Sequence, residues 1–240
     1  MRAERVDLQA AYILHGRPYR ETSQLLEVLT RSHGRIGLVA RGARGPKGRW
    51  RALLQPFQPL HLSWSGRGLL FTLRNAEPAA PPPPLSGQRL LSAYYLNELL
   101  LGFTTRGDPH PELFAHYAAA LTGLVAEESA EVPLRRFELA LLNEAGYGLD
   151  AARDAQNGAP IDPDQRYIYQ PERGAVPVTG DRDQQLVLTG ASLKAIAAGE
   201  FGAAGDLHRA KRLLRVLLDH HLDHKPLQTR RVFAEMRQRR

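Results

Sequence analysis

The residues best equipped for chemistry are crowded into positions 34–51, GRIGLVARGARGPKGRWR. Arg35, Arg41, Arg44, Lys47, Arg49 and Arg51 stand there among five glycines and one proline, with no acidic side chain. Guanidinium forks on a pliable loop suit phosphate oxygens, because a polyanion held by its backbone demands charge and reach rather than base-specific donors. Trp50, between Arg49 and Arg51, offers a face on which an unpaired base can stack, worth about 1–3 kcal/mol per base. Arg17 and Arg20 form a second basic pair upstream. Trp64 falls in phase with Leu60 and Leu62 and is expected in a core; Phe57 fits either role.

Other chemistries fail on their own residues. Gly37 and Gly42 have the spacing of a nucleotide-binding loop, but Ala43-Arg44 stand where Lys and Ser/Thr are required. No Gly-x-Ser-x-Gly elbow occurs, so a serine nucleophile has no turn to present it. A metal-dependent nuclease needs clustered carboxylates beside the basic face, yet no acid lies between Glu27 and Glu77. The chain has no cysteine, which excludes disulfides, thiolate zinc sites and iron–sulfur clusters and makes an intracellular setting the default. His220, His221 and His224 lie close together beside Asp219 and Asp223, but histidines closing a helix are adequately explained by its negative end. No metal and no cofactor is expected, and the chain is not expected to be an enzyme.

The charge is segregated along the 240 residues. Residues 1–80 carry 13 basic and 5 acidic side chains, residues 81–204 carry 9 and 16, and residues 205–240 carry 10 and 4. Basic ends around an acidic middle favour a polyanionic partner over a merely solubilising surface. No apolar run approaches the ~18 residues of a spanning helix, and no cleaved secretion signal is expected.

The elements that must position these residues change character at Pro81–Pro84. Upstream, period-two alternation marks strands: Ile36, Leu38 and Ala40; Leu60, Leu62 and Trp64; Leu69, Phe71 and Leu73, with further strands over 10–14 and 25–30. Five short strands in about 75 residues predict a small closed barrel, five-stranded and antiparallel, of the OB-fold kind, with an SH3-like barrel as the rival. Downstream the apolar spacing becomes three and four. Helices are predicted after a cap at Ser86, from about Pro111, from near Pro133 to Gly146, over 192–198, over 206–222 and over 228–238. Residues 150–188 read as turns with short strands at 167–169 and 186–188. The fold class is therefore α+β: a barrel over 1–80, a proline-rich linker over 81–86, and a mostly helical domain over 87–240 with a small β/loop insertion at about 150–188.

The basic residues of the helical half fit another role. In 206–222 the cations interleave with leucines, so one face packs and the other is positive, a rim suited to an acidic peptide with a hydrophobic end. Arg209, Arg212, Arg215, Arg135 and Arg136 are the candidate carboxylate partners, although the last two also lie within reach of Glu131 or Glu138 on their own helix.

Several blocks, taken in order, resemble one family. Arg17-Pro-Tyr-Arg-Glu-Thr-Ser23, residues 34–44, Leu54-Gln-Pro-Phe57, Tyr95-Leu-Asn-Glu-Leu99, and Leu134–Leu142 running into Gly146-Tyr-Gly148 are similar to the bacterial recombination mediator RecO. The resemblance implies an N-terminal OB-fold, a helical C-terminal domain, and a role in recombinational DNA repair in the RecF pathway. It also implies binding of single- and double-stranded DNA, strand annealing, and help in loading RecA on DNA coated by single-strand-binding protein. Implied partners are RecR and the acidic tail of that coating protein, in a cytoplasmic, nucleoid-associated setting. Many members carry a cysteine zinc site in the region corresponding to 150–180; without cysteine it is not expected here, and Tyr167, Ile168 and Tyr169 are expected to supply packing instead. The alternative is an adaptor that recognises acidic protein partners and binds DNA only incidentally.

Overall fold

The computed structural model describes residues 4–45, 50–68, 70–178, 186–202 and 204–238. Five strands, β1 (Glu4–Tyr19), β2 (Ser23–Thr30), β3 (Gly34–Ala40), β4 (Leu60–Arg67) and β5 (Leu70–Pro78), close into a barrel in the order β1-β2-β3-β5-β4. The inward set is the one alternation specifies: Ile36, Leu38, Ala40, Leu60, Leu62, Trp64, Phe71 and Leu73 are all buried, Trp64 completely. One pairing departs from expectation. β3 and β5 run parallel, with Gly37 opposite Leu70 and Val39 opposite Thr72, so the barrel is mixed rather than antiparallel. Closing a five-stranded Greek key brings these two non-sequential strands together in the same direction.

Residues 81–86 have no regular structure and lead into α1 (Gly87–Phe103), α2 (Pro111–Ala126) and α3 (Glu131–Glu144). Ser86 stands at the N-cap of α1 but its hydroxyl makes no capping bond. Gly146, at φ +81°, ends the α3 segment as its spacing predicts, with the Tyr147 amide donating back to the Leu142 carbonyl. The insertion is a three-stranded sheet of β6 (Arg166–Gln170), β7 (Gly174–Pro177) and β8 (Val187–Thr189), ordered β7-β6-β8. Tyr167 is buried in the helical core and its hydroxyl accepts from the Asp162 amide at 3.0 Å. The Tyr169 hydroxyl likewise accepts from the Asp150 amide, so both tyrosines pin the insertion. Helices α4 (Gly190–Ala197), α5 (Ala204–His221) and α6 (Gln228–Gln238) follow.

Barrel and helices share an apolar core rather than hanging from the prolines. Tyr12, Leu14, Leu29 and Phe57 belong to the cluster built by α1–α5. Tyr12 meets Phe114 and Tyr117 at ring-centroid distances of 5.4 and 5.1 Å. A bulge between Ile13 and His15 leaves Leu14 outside the β1–β2 register, and its carbonyl accepts from the Asn97 side-chain amide at 2.8 Å. The polar counterpart lies on the outer face of β2 and β3. Glu27 receives Nη1 of Arg35 at 3.0 Å and also Nη2 of Arg106, while Nη2 of Arg35 donates to the Thr104 carbonyl at 2.7 Å. Glu27 and Arg35 are each only 17% exposed at the side chain. Gly34, at φ +63°, allows the closest approach: a Cβ there would sit 2.0 Å from the Asp108 carbonyl oxygen.

A second buried ion cluster ties the helices to one another. Glu138 accepts from Arg135 at 2.6 Å and from the Tyr95 hydroxyl at 2.7 Å, and Arg135 also faces Glu131 at 3.5 Å. Arg230 of α6 lies over the Tyr95 ring and pairs with Asp219 of α5. Burial outweighs the Arg135 charge and raises the Glu138 pKa above the usual carboxyl range.

Two stability outcomes follow. Glu27→Ala leaves two part-buried guanidiniums without their carboxylate and lowers unfolding free energy by about 2–3 kcal/mol in urea. Glu138→Ala costs about 3 kcal/mol or more, since it strands Arg135 in the core. Glu138→Gln behaves differently. A raised folded pKa gives stability that is fully present below the unfolded carboxyl pKa and lost as pH rises through the folded value. Fixing the site neutral removes that loss, so the variant gains on the native chain between about pH 4 and pH 7, measured by urea unfolding at both; a reversed trend contradicts this.

Candidate nucleic-acid interface

Strand register assembles the basic residues at one end of the barrel. Arg17 pairs with Leu25, which pairs with Val39, so the β1–β2 turn and the segment leaving β3 emerge side by side. The Arg44 amide donates to the Thr22 carbonyl at 2.8 Å and fastens the two together. Arg17, Arg20, Arg41, Arg44 and Arg51 are all exposed, and none is ion-paired to a carboxylate among the described residues. Arg20 holds φ +54° and sets its guanidinium 5.3 Å from the Tyr19 ring centroid, which limits where the fork can point. Gly42 reverses the chain at φ +70° with open space about it. Glu21 is the single acid between Asp7 and Glu27.

The remaining residues of the basic stretch fall elsewhere. Arg35 is a correction: its guanidinium is committed to Glu27 and Thr104, where residues 104–108 cover that half of the β2–β3 face, so it is no open phosphate fork. Trp50 is half-buried against the barrel core beside Leu53, and its carbonyl accepts from the Leu53 and Leu54 amides. Lys47 and Arg49 lie outside the described residues. Phe57 is buried and meets Tyr94 edge-on at 4.9 Å, which removes it as a base platform.

Arg74 is an exposed arginine that the sequence reading did not single out. Arg74 of β5 is 30 positions from Arg44 in the chain, and the parallel β3–β5 pairing carries both strands toward the same end of the barrel. Its outward phase was visible in the alternation of Leu73 and Arg74; its neighbourhood was not.

The helical candidates divide in two. Arg135 is a second correction: its side chain is 5% exposed and spent on Glu138 and Glu131, so it presents nothing to a partner. Arg209, Arg212 and Arg215 share the outer face of α5, opposite Leu213, Leu214, Leu217 and Leu218, with Val216 47% exposed among them. Arg209 lies 3.9 Å from Asp206 and Arg215 3.6 Å from Asp219, whereas Arg212 makes no ion pair among the described residues. Arg136, on the neighbouring α3, is 62% exposed and 3.7 Å from Glu127.

His220 and His221 line a cleft of about 650 Å³ beside the insertion. His221 stacks on Tyr147 at 3.7 Å, and Nε2 of His220 lies 3.0 Å from Glu172. Burial, then the His220 charge, lowers the His221 pKa, which suits a neutral stacking ring. The residues corresponding to the family's zinc region do not fit that metal: thiolates are lacking, and among the described residues no three donor side chains cluster for a metal ion. Among the described residues no helix is long and apolar enough to cross a membrane.

Comparison with known proteins agrees with this architecture along nearly the whole chain. The family described as "Recombination protein O N terminal" matches residues 5–82, and "Recombination protein O C terminal" matches residues 84–231. A protein of Azoarcus sp. (strain BH72) named "DNA repair protein RecO" is 47% identical over 236 residues, covering 97% of each chain. Its namesake in Aromatoleum aromaticum is 44% identical over 235 residues, covering 98% of each, and that of Nitrosococcus oceani is 47% identical over 233 residues, covering 97% of this chain and 95% of its own. With both halves matched in order and relatives well above 40% identity over full length, the chain belongs to the recombination protein O family, RecO.

Proposed function

We propose that this chain is a recombination mediator in DNA repair, acting in the RecF pathway. It binds single- and double-stranded DNA, anneals complementary strands, and assists RecA loading on DNA coated by single-strand-binding protein. The observation that carries this is the barrel end at which Arg17, Arg20, Arg41, Arg44 and Arg51 stand exposed and uncommitted to carboxylates among the described residues. Lys47 and Arg49 extend the same acid-free segment, and Trp50 adds a stacking edge. Such a surface neutralises backbone charge on two strands at once and lowers the repulsion that opposes pairing. Base pairing then supplies the fidelity, so no covalent step and no base-specific donor is required.

The division of labour follows the two halves: the barrel over 1–80 takes DNA, the segment 81–86 connects, and 87–240 takes protein partners. Arg209, Arg212, Arg215 and Arg136 offer cations beside exposed Val216 for the acidic, hydrophobic tail of the coating protein. RecR is the further partner, and the site of action is the cytoplasmic nucleoid.

Arg41, Arg44 and Lys47 replaced together by Ala should weaken oligonucleotide binding and reduce the salt slope by about 2, at ~0.7 per lost phosphate contact on single strands. Arg35→Ala, by contrast, lowers thermal stability and leaves the slope unchanged. An unaltered slope in the triple variant contradicts the barrel end as the DNA surface. For the helical half, Arg212→Glu should abolish stimulation of annealing on DNA coated by intact single-strand-binding protein. Annealing of bare strands stays as it was, and equal loss on both substrates counts against a tail site on α5.

A further inference from the structure

We propose that Arg74 is a further phosphate-binding residue, and that the nucleotide backbone crosses the β3–β5 seam to reach it instead of following the β2–β3 face. The proposal rests on the barrel end being the nucleic-acid surface, and it adds a path and a residue to that surface. The β4–β5 register pairs Ser63 with Asn75 and Trp64 with Leu73, so Arg74 is the residue left over by a bulge. A bulge re-aims one side chain out of the ladder, and such devices gather beside functional sites. Leu73 is buried inward while Arg74 is exposed.

The bulge is exploited by a single contact. Nε of Arg74 donates to Oγ of Ser65 at 2.7 Å, which fixes the plane of the guanidinium and leaves its two Nη groups as an uncommitted fork. Arg74 makes no ion pair among the described residues, and the nearest acid in the strand, Glu77, accepts from Asn75 instead. An outward-facing fork held through Nε is the geometry a phosphate takes bidentately.

The path follows from what is open. On the β2–β3 face, the half carrying Glu27 and Arg35 lies beneath residues 104–108, and Gly34 touches Asp108. The parallel pairing ends at Val39 opposite Thr72, two residues short of Arg41 on one side and of Arg74 on the other, so both arginines leave the seam toward the same end of the barrel. A backbone leaving Arg17 and Arg20 at the β1–β2 turn, which also holds the exposed Glu21, then has Arg41, Arg44 and Arg74 ahead of it, on stretches of sequence that carry no acid between Glu27 and Glu77.

The test is fluorescence anisotropy of a labelled oligo-dT on the intact chain between about 0.05 and 0.3 M salt. Arg74→Gln should bind about fivefold more weakly at ~0.1 M salt, with a slope shallower by ~0.7. Arg74→Lys should keep the slope, and Arg74→Glu should weaken binding further. Ser65→Ala should weaken binding while keeping the slope, because the charge remains and only its aim is lost; Ser65→Thr should restore affinity. Native affinity and slope in Arg74→Gln, alongside weakened binding in the Arg41→Ala/Arg44→Ala reference, overturn the role of Arg74 and leave the barrel end standing. No change in either variant overturns both. A Ser65→Ala variant indistinguishable from the native chain overturns the positioning by Ser65.

Discussion

The Glu27 carboxylate is the contact on which the arrangement turns. Two guanidiniums from different halves of the molecule, Arg35 on the barrel and Arg106 after α1, converge on it in a partly buried pocket. At the same place Arg35 bonds the Thr104 carbonyl, and Gly34 lets the chain at Asp108 come within a distance no side chain would permit. Charge pairs removed from bulk water are screened less than exposed ones, so this clasp persists at salt concentrations that weaken surface contacts. It fixes the helices against one half of the β2–β3 face and leaves the turns at the other end as the outlet for positive charge.

The same logic separates the arginines by fate. Where acids are interspersed through the helical half, cations find carboxylates: Arg135 with Glu138, Lys211 with Glu131, Arg230 with Asp219. Where the sequence lacks acids, between Glu27 and Glu77, most arginines among the described residues make no ion pair. Arg35 is the exception, and its partner Glu27 sits at the border of that interval. Like charges gathered at the barrel end repel one another until a polyanion neutralises them, so they serve the fold little and a ligand considerably. The adjoining apolar core, shared by strands and helices, is what tolerates that local cost.

Much of this was legible in the residues. Period-two alternation located the inward side of β3, β4 and β5 even where the other face is partly covered, as on β3, and Trp64 was placed in the core by phase alone. The change of period after Pro84 located the helices. What escaped depends on distant partners. The parallel β3–β5 pairing is a property of barrel closure, not of either strand. β7, four residues ending in proline, is too short to show a period. Arg35 looked like its neighbours because Glu27 comes within its reach only through the β2–β3 hairpin and its second acceptor, Thr104, lies 69 residues away, whereas the pairing of Arg135 within α3 was foreshadowed by acids at helical spacing. Arg74 stood in plain view on a strand, and only the bulge and the parallel β3–β5 pairing give it its outward aim at the end of the barrel that β3 also leaves from.

The most direct test of the central claim is where a bound nucleotide chain touches the protein. An oligonucleotide carrying 5-iododeoxyuridine, cross-linked by light to the intact chain and mapped by peptide mass spectrometry, should label peptides containing residues 17–22, 41–51 and 70–78. Labelling confined to the outer face of α5, with the barrel end untouched, would contradict it.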